Sequence, residues 1–109
     1  MERKEFEKSE IANINNSIEY SNDAIVSKPV LNREEGTVTL FAFDKGQSLS
    51  EHTTPFDAIV QVIDGKVKII IDRKPYLIQK GELIIMPANI PHAVEAIEKF
   101  KMLLVMIKS

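Results

Sequence analysis

The sequence predicts an all-β fold, and three observations carry that expectation. From Gly36 to the end, no window shows the 3.6-residue periodicity of a helix of useful length, whereas apolar and polar residues alternate in several short runs. Glycine, proline or Asp-Gly pairs interrupt those runs at intervals of about 8 to 12 residues, the rhythm of a sandwich or barrel. The last run, residues 100–107, is almost continuously apolar, as a strand buried on both faces is.

Taken in order, residues 1–10 form a charged N-terminal arm with Phe6 as its one large apolar side chain besides Met1. Residues 11–16 mix apolar residues with three asparagines and read as a short strand ending in a turn. Residues 24–30 read as an edge strand, because Pro29 has no N–H to give a sheet ladder. Residues 37–43 read as a strand with Val38, Leu40 and Ala42 on one face and Thr39, Phe41 and Phe43 on the other. Residues 47–56 look loop-like and carry His52. Residues 58–63 and 66–71 read as strands joined at Asp64-Gly65, a two-residue hairpin signal. Residues 72–75 turn the chain into a short strand at 76–79, and Lys80-Gly81 turns it again. A strand at 83–86 stops at Pro87, two prolines in five residues make 87–91 irregular, and strands at 92–97 and 100–107 complete the series.

Composition narrows the function. The 109 residues fit one domain, 1–109, with 44% hydrophobic and 28% charged residues. A formal net charge of -2 gives no basic footprint, so no nucleic acid is expected as a partner. The absence of cysteine removes disulfides, thiolate nucleophiles and sulfur-ligated metals, and is compatible with a reducing compartment. The charged N-terminus does not read as a secretory signal, and no stretch is long and apolar enough for a spanning helix, so a cytoplasmic protein with no membrane partner is expected. The four glycines are isolated, so there is no phosphate loop, and no Gly-x-Ser-x-Gly elbow occurs.

The only two histidines, His52 and His92, both fall near strand ends, where one mouth of a small barrel would lie. A lone histidine in a polar loop is commonly a surface residue, but the spacing around these two is ordered. Gly46 is followed by five residues, His52, one residue, Thr54, three residues, Ala58, six residues and Gly65. After 15 further residues, Gly81 is followed by five residues, Pro87, one residue, Asn89, two residues, His92, three residues and Ala96.

This double pattern resembles the two motifs of the cupin superfamily. The likeness spans about residues 46–96 and is greatest to small single-domain bacterial cupins with a His-Thr-Thr-Pro segment and a Pro-Ala-x-x-Pro-His turn, as at 52–55 and 87–92 here. The resemblance implies a double-stranded β-helix, that is, a jelly-roll-like barrel. It also implies a divalent-metal position, because metal-binding cupins hold zinc, iron, manganese or nickel with three histidines and a glutamate. His52 and His92 fill the first and last histidine positions, whereas Thr54 and Ala58 stand in the second histidine and glutamate positions. Asn89 replaces a glycine, a mild change because asparagine tolerates the left-handed region. Ala96 replaces an asparagine.

Two neutral imidazoles make an incomplete metal site. Asp57 and Gln61 have the wrong strand parity to join Ala58, and only a bulge would turn Asp57 inward. The leading expectation is therefore a small-molecule ligand in a pocket formed by His52, Thr54, Ala58, Val60, Val62, Met86 and His92, where the histidine pair would attract an anion once charged. For Val60, Val62 and Met86 the plainer reading is core packing. The alternative is a metal-dependent oxygenase, isomerase or decarboxylase using His52, His92 and a non-standard third ligand. Cupins of this kind commonly pair, so a homodimer is expected, with the strand at 24–30 as the edge to be covered.

Overall fold

In a computed structural model, residues 4–108 are described; Met1, Glu2 and Arg3, the beginning of the expected arm, lie outside them, as does Ser109. Eight strands follow a single 3₁₀ turn at Ile14–Asn16: β1 (Ile25–Arg33), β2 (Gly36–Phe43), β3 (Ser48–His52), β4 (Asp57–Ile71), β5 (Lys74–Gln79), β6 (Leu83–Met86), β7 (His92–Glu95) and β8 (Phe100–Ile107). All pairings are antiparallel. No helix among the described residues is long and apolar enough to cross a membrane.

The fifteen-residue β4 organises the molecule by passing through both layers of a curled, jelly-roll-like sheet. Its first half pairs with β8 on one side and β6 on the other, giving a layer ordered β1-β2-β8-β4-β6. Its second half pairs with β7 and β5, giving the opposite layer β3-β7-β4-β5. Ala58, Val60 and Val62 from the first half and Val67, Ile69 and Ile71 from the second all face the core between the layers. Phe43 and Phe100 stack at its closed end, with ring centroids 4.6 Å apart.

The inward positions change from even to odd within β4, around Asp64-Gly65, where the turn residues predict a hairpin. There is no hairpin there. The register against β8 slips between Val62 and Asp64, so a β-bulge resets the parity without ending the strand. The tight hairpin lies eight residues later, where Ile71 pairs with Lys74 and both Asp72 and Arg73 take positive φ, 50° and 66°, as a type I′ turn requires.

Other boundaries also moved. Residues 11–16 hold no strand: the Asn13 side chain accepts from the Asn16 N–H and caps the 3₁₀ turn. The strand expected at 24–30 runs on to Arg33, remains an edge as Pro29 demands, and bulges between Pro29 and Leu31. The stretch 47–56 contains β3, and β7 stops at Glu95 rather than 97.

The second strand buries both faces. Phe41 and Phe43 point into the main core, whereas Leu40 and Ala42 meet Ile18 on the outside. Residues 4–24 thus form a cover over one half of the outer face. Lys101, only 8% exposed, ties that cover down: its ammonium donates to the Asn15 backbone and side-chain oxygens and lies over the Tyr20 ring. Tyr20 in turn donates to Asp64 at 2.6 Å, and burial, then the Asp64 carboxylate, push its hydroxyl well above the usual range for titration. The arm also shields the sheet edge, since Phe6 N–H donates to Val30 O and the Glu5 carboxylate accepts from Asn32 N–H.

Candidate functional site

The two histidines meet across the β3–β7 pair. Leu49 faces Val94 and His52 faces His92, so three steps along β3 match two along β7. That extra residue is a bulge, and its consequence is directional. With regular alternation Glu51 would share the inward face of Leu49; the bulge turns His52 inward instead. On the other strand, Asn89 adopts φ 63°, the left-handed conformation anticipated for it, and its N–H donates to Thr54 O at 2.7 Å. Ala88 N–H donates to the Asp57 carboxylate at 2.9 Å. These bonds fasten the irregular Pro87–Pro91 turn to the Thr54 segment and deliver His92 to the start of β7.

The His52 and His92 rings are 4.3 Å apart and inclined at 70°, with their Nε2 atoms 3.1 Å from each other. Each ring is fixed from behind by a carbonyl two residues earlier: His52 Nδ1 donates to Ser50 O at 2.7 Å, and His92 Nδ1 to Ile90 O at 3.2 Å. His92 is buried and His52 exposed at the rim. Burial, reinforced by the neighbouring His52, holds His92 below the ordinary imidazole range, with the Ile90 carbonyl opposing the shift.

Beside this pair lies a cavity of about 220 Å³ lined by Phe41, Leu49, His52, Thr54, Ala58, Met86, His92, Val94, Met102, Leu104 and Met106. Of the residues proposed from sequence, His52, Thr54, Ala58, Met86 and His92 are brought together here. Val60 and Val62 are not on the wall. They are 0% and 1% exposed and pack deeper in the same core, the plainer reading given for them above.

Six lining residues escaped the sequence reading. Met102, Leu104 and Met106 alternate along β8 and so share one face; Phe41 lies opposite Met102 on β2. Alternation within the continuous apolar run would have found the β8 set. Leu49 is hidden from pattern reading because a bulge interrupts the alternation of its strand.

A divalent cation fits this donor set only in part. Two ligands on one tetrahedral ion, each bonded at about 2.0–2.1 Å, lie about 3.3 Å apart, close to the observed pair, and carbonyl-held Nδ1 atoms are usual behind metal-bound histidines. However, Asp57 points to the outer face and is engaged by Ala88, while Gln61 is exposed on that same face. Among the described residues no group of three His, Cys, Asp or Glu side chains converges. Two neutral nitrogens supply neither the charge nor the number of ligands that a resident divalent ion needs, and the residues present do not fit one.

Known proteins match this architecture. A cupin domain family matches residues 39–108, well over half of the chain. A solved structure of a conserved Streptococcus pyogenes protein of unknown function is 34% identical, with 100% of this chain and 96% of that chain covered and a TM-score of 0.92. A cupin 2 conserved barrel domain protein from Leptotrichia buccalis is 45% identical over 89% of this chain, with a TM-score of 0.87; this chain spans 47% of that one. A cupin superfamily protein from Desulfitobacterium hafniense shares the fold along 100% of both chains at 21% identity and a TM-score of 0.90. No curated protein matches. The double motif, the two-layer barrel and these matches agree: the chain belongs to the cupin superfamily.

Proposed function

We propose that this protein binds a small molecule in the cavity beside His52 and His92. One observation carries the reading. A cavity of about 220 Å³ with almost wholly apolar walls ends in three polar side chains, His52, Thr54 and His92, and such an apolar pocket with a few convergent polar groups is the usual form of a small-molecule site. Ala58, in the position where metal-binding cupins carry glutamate, leaves room where a carboxylate would stand.

The test is a set of monocyclic solutes titrated against the wild type and Ala58→Leu, followed by backbone amide shifts. Saturable binding that perturbs β3, β7 and β8 and disappears in the filled variant supports the reading. Binding that survives Ala58→Leu, or no saturable binding to any solute, overturns it.

The metal-dependent oxygenase, isomerase or decarboxylase reading draws on one observation, the 3.1 Å convergence of the two Nε2 atoms. It lacks a third ligand. Stoichiometric metal in protein purified without chelator, lost on His52→Ala, would restore it over the reading preferred here.

We also propose that the chain pairs with a second copy of itself. The edge strand first expected to be covered is partly shielded by the chain's own arm, but a different surface is open. Leu31, Val38, Val105, Ile59 and Ile85 form one cross-strand row over β1, β2, β8, β4 and β6. Ile85 is 56% exposed and Leu31 40%, and Leu83 and Ile107 in the adjoining rows keep 59% and 52%. Residues 4–24 cover the other half of this face and leave the ends of the row exposed, with Val38, Val105 and Ile59 half-buried between them. The row carries no charge, so two copies related by a twofold axis would bring aliphatic side chains together without like-charge repulsion.

A further inference from the structure

The polar end of the cavity is short of hydrogen. Both Nδ1 atoms face carbonyl oxygens, which only accept, so both carry their ring proton there. A neutral imidazole has one N–H. The three contacts of the pair, Nδ1 to Ser50 O, Nδ1 to Ile90 O and Nε2 to Nε2, each need a hydrogen, and two neutral rings supply two. The two Nε2 lone pairs are left facing each other at 3.1 Å. Thr54 adds no donor, because its hydroxyl hydrogen is directed to Phe56 O at 3.2 Å, leaving only lone pairs. With the rings neutral, every polar side chain at this end of the cavity is an acceptor.

Resting on the pocket reading above, we infer that the ligand is a neutral, monocyclic aromatic molecule bearing a hydroxyl donor, of the phenol or catechol class. Its hydroxyl supplies the missing hydrogen to the facing Nε2 atoms, and a second hydroxyl meets Thr54 Oγ1. A carboxylate is disfavoured, since its lone pairs would meet three acceptors. That reverses the anion expected from the sequence. An ammonium group is disfavoured as well, since no lining residue is acidic. The walls select the body of the ligand. Three of the chain's four methionines, Met86, Met102 and Met106, line the cavity with Phe41, and thioether sulfurs favour aromatic edges. The volume is suitable too: a cavity of about 150 Å³ holds benzene, so about 220 Å³ admits a substituted ring.

Three probes that share a methylbenzene body and differ in the para group test this: p-cresol, toluene and 4-methylbenzoate. They are titrated near pH 8, where imidazoles and the phenol are both neutral, with backbone amide and imidazole ¹⁵N shifts as readouts. The expected result is p-cresol binding at least about tenfold tighter than toluene, the difference one well-placed hydrogen bond makes. An Nε2 shift on p-cresol but not toluene is expected with it, and 4-methylbenzoate is expected to bind weakest. His52→Leu, at an exposed position, should erase the preference for p-cresol while toluene still binds. Equal affinity for p-cresol and toluene, or tighter binding of 4-methylbenzoate, overturns the assignment and leaves the pocket standing. If none of the three binds saturably, the pocket reading falls with it.

Discussion

Gly65 lies so close to Lys99 that a β-carbon built on it would come within 1.8 Å of the Lys99 carbonyl oxygen. The glycine sits just beyond the bulge where β4 leaves one layer for the other, with φ at 76°. It therefore permits a backbone crossing rather than a turn. Gly65→Ala is expected to be among the most damaging single changes in the chain: the left-handed conformation alone costs about 1–3 kcal/mol for a residue with a side chain, and the contact is with main chain that cannot swing aside. Gly46 is the control, since its φ is 86° and nothing lies within 4 Å of a built β-carbon. Urea unfolding of both alanine variants should show Gly65→Ala losing clearly more stability than Gly46→Ala. Equal losses would mean that the crossing relaxes and that the close approach carries no energy.

The hairpin that ends the same strand makes the opposite prediction. Arg73 is exposed and holds φ at 66° in a type I′ turn, a conformation that costs a branched or long side chain about 1 kcal/mol. Its ion pair to Glu51, at 3.9 Å with the arginine side chain 86% exposed, contributes little. Arg73→Gly is therefore expected to stabilise the protein, raising Tm by about 2–6 °C if about 0.5–1 kcal/mol is recovered. A lower Tm would show that the arginine does more than tolerate its turn.

The crossing and the turn also show where the sequence is readable and where it is not. A reversal of inward parity between Val62 and Val67 is plain in the sequence, and Asp64-Gly65 offers the usual residues for a hairpin. A bulge produces the same reversal, and only the long-range pairing of β4 with β8 decides between them. The strands at 83–86 and 100–107 were legible to the residue because one long apolar run and one proline bounded them. The site was half legible. His52, Thr54, Ala58 and His92 follow from fixed spacing, and Met86 from its place before Pro87. Leu49 was lost because a bulged strand breaks alternation, while Val60 and Val62 share the parity of Ala58 and differ from it only in depth, which parity does not encode.

Acid should weaken the fold through His92. Its folded-state pKa lies below the ordinary 6.5, so the neutral form is the one the fold prefers. Below about pH 6.5 the unfolded chain takes up a proton that folded His92 resists, so stability is highest above that value and falls as the pH drops toward the folded pKa. Asp44 works lower down: N–H donors from Asp23 and then Lys45 hold its carboxyl below the usual range, and that stabilisation is lost only as the pH falls through its folded value. Unfolding free energies measured between pH 7.5 and 5.5 therefore isolate the histidine. The wild type is expected to lose stability over that window and His92→Gln to lose less. Parallel slopes in the two proteins would remove His92 as the cause.

The aliphatic row over the outer face gives the last prediction. Ile85 ends a line of five apolar side chains and is more than half exposed, so replacing it should leave the monomer fold intact. In a twofold pair, however, Ile85→Glu would place a carboxylate from each copy against hydrocarbon, a burial without partner worth about 3 kcal/mol or more, or a hundredfold in dissociation constant. Light scattering at micromolar concentration should find the wild type dimeric and Ile85→Glu monomeric, with unchanged far-ultraviolet circular dichroism. Charge on the shielded edge, as in Asn32→Lys, should leave the dimer in place. A monomeric wild type would mean that the row meets another protein or simply solvent. A dimer that withstands Ile85→Glu but not Asn32→Lys would return the interface to the β1 edge.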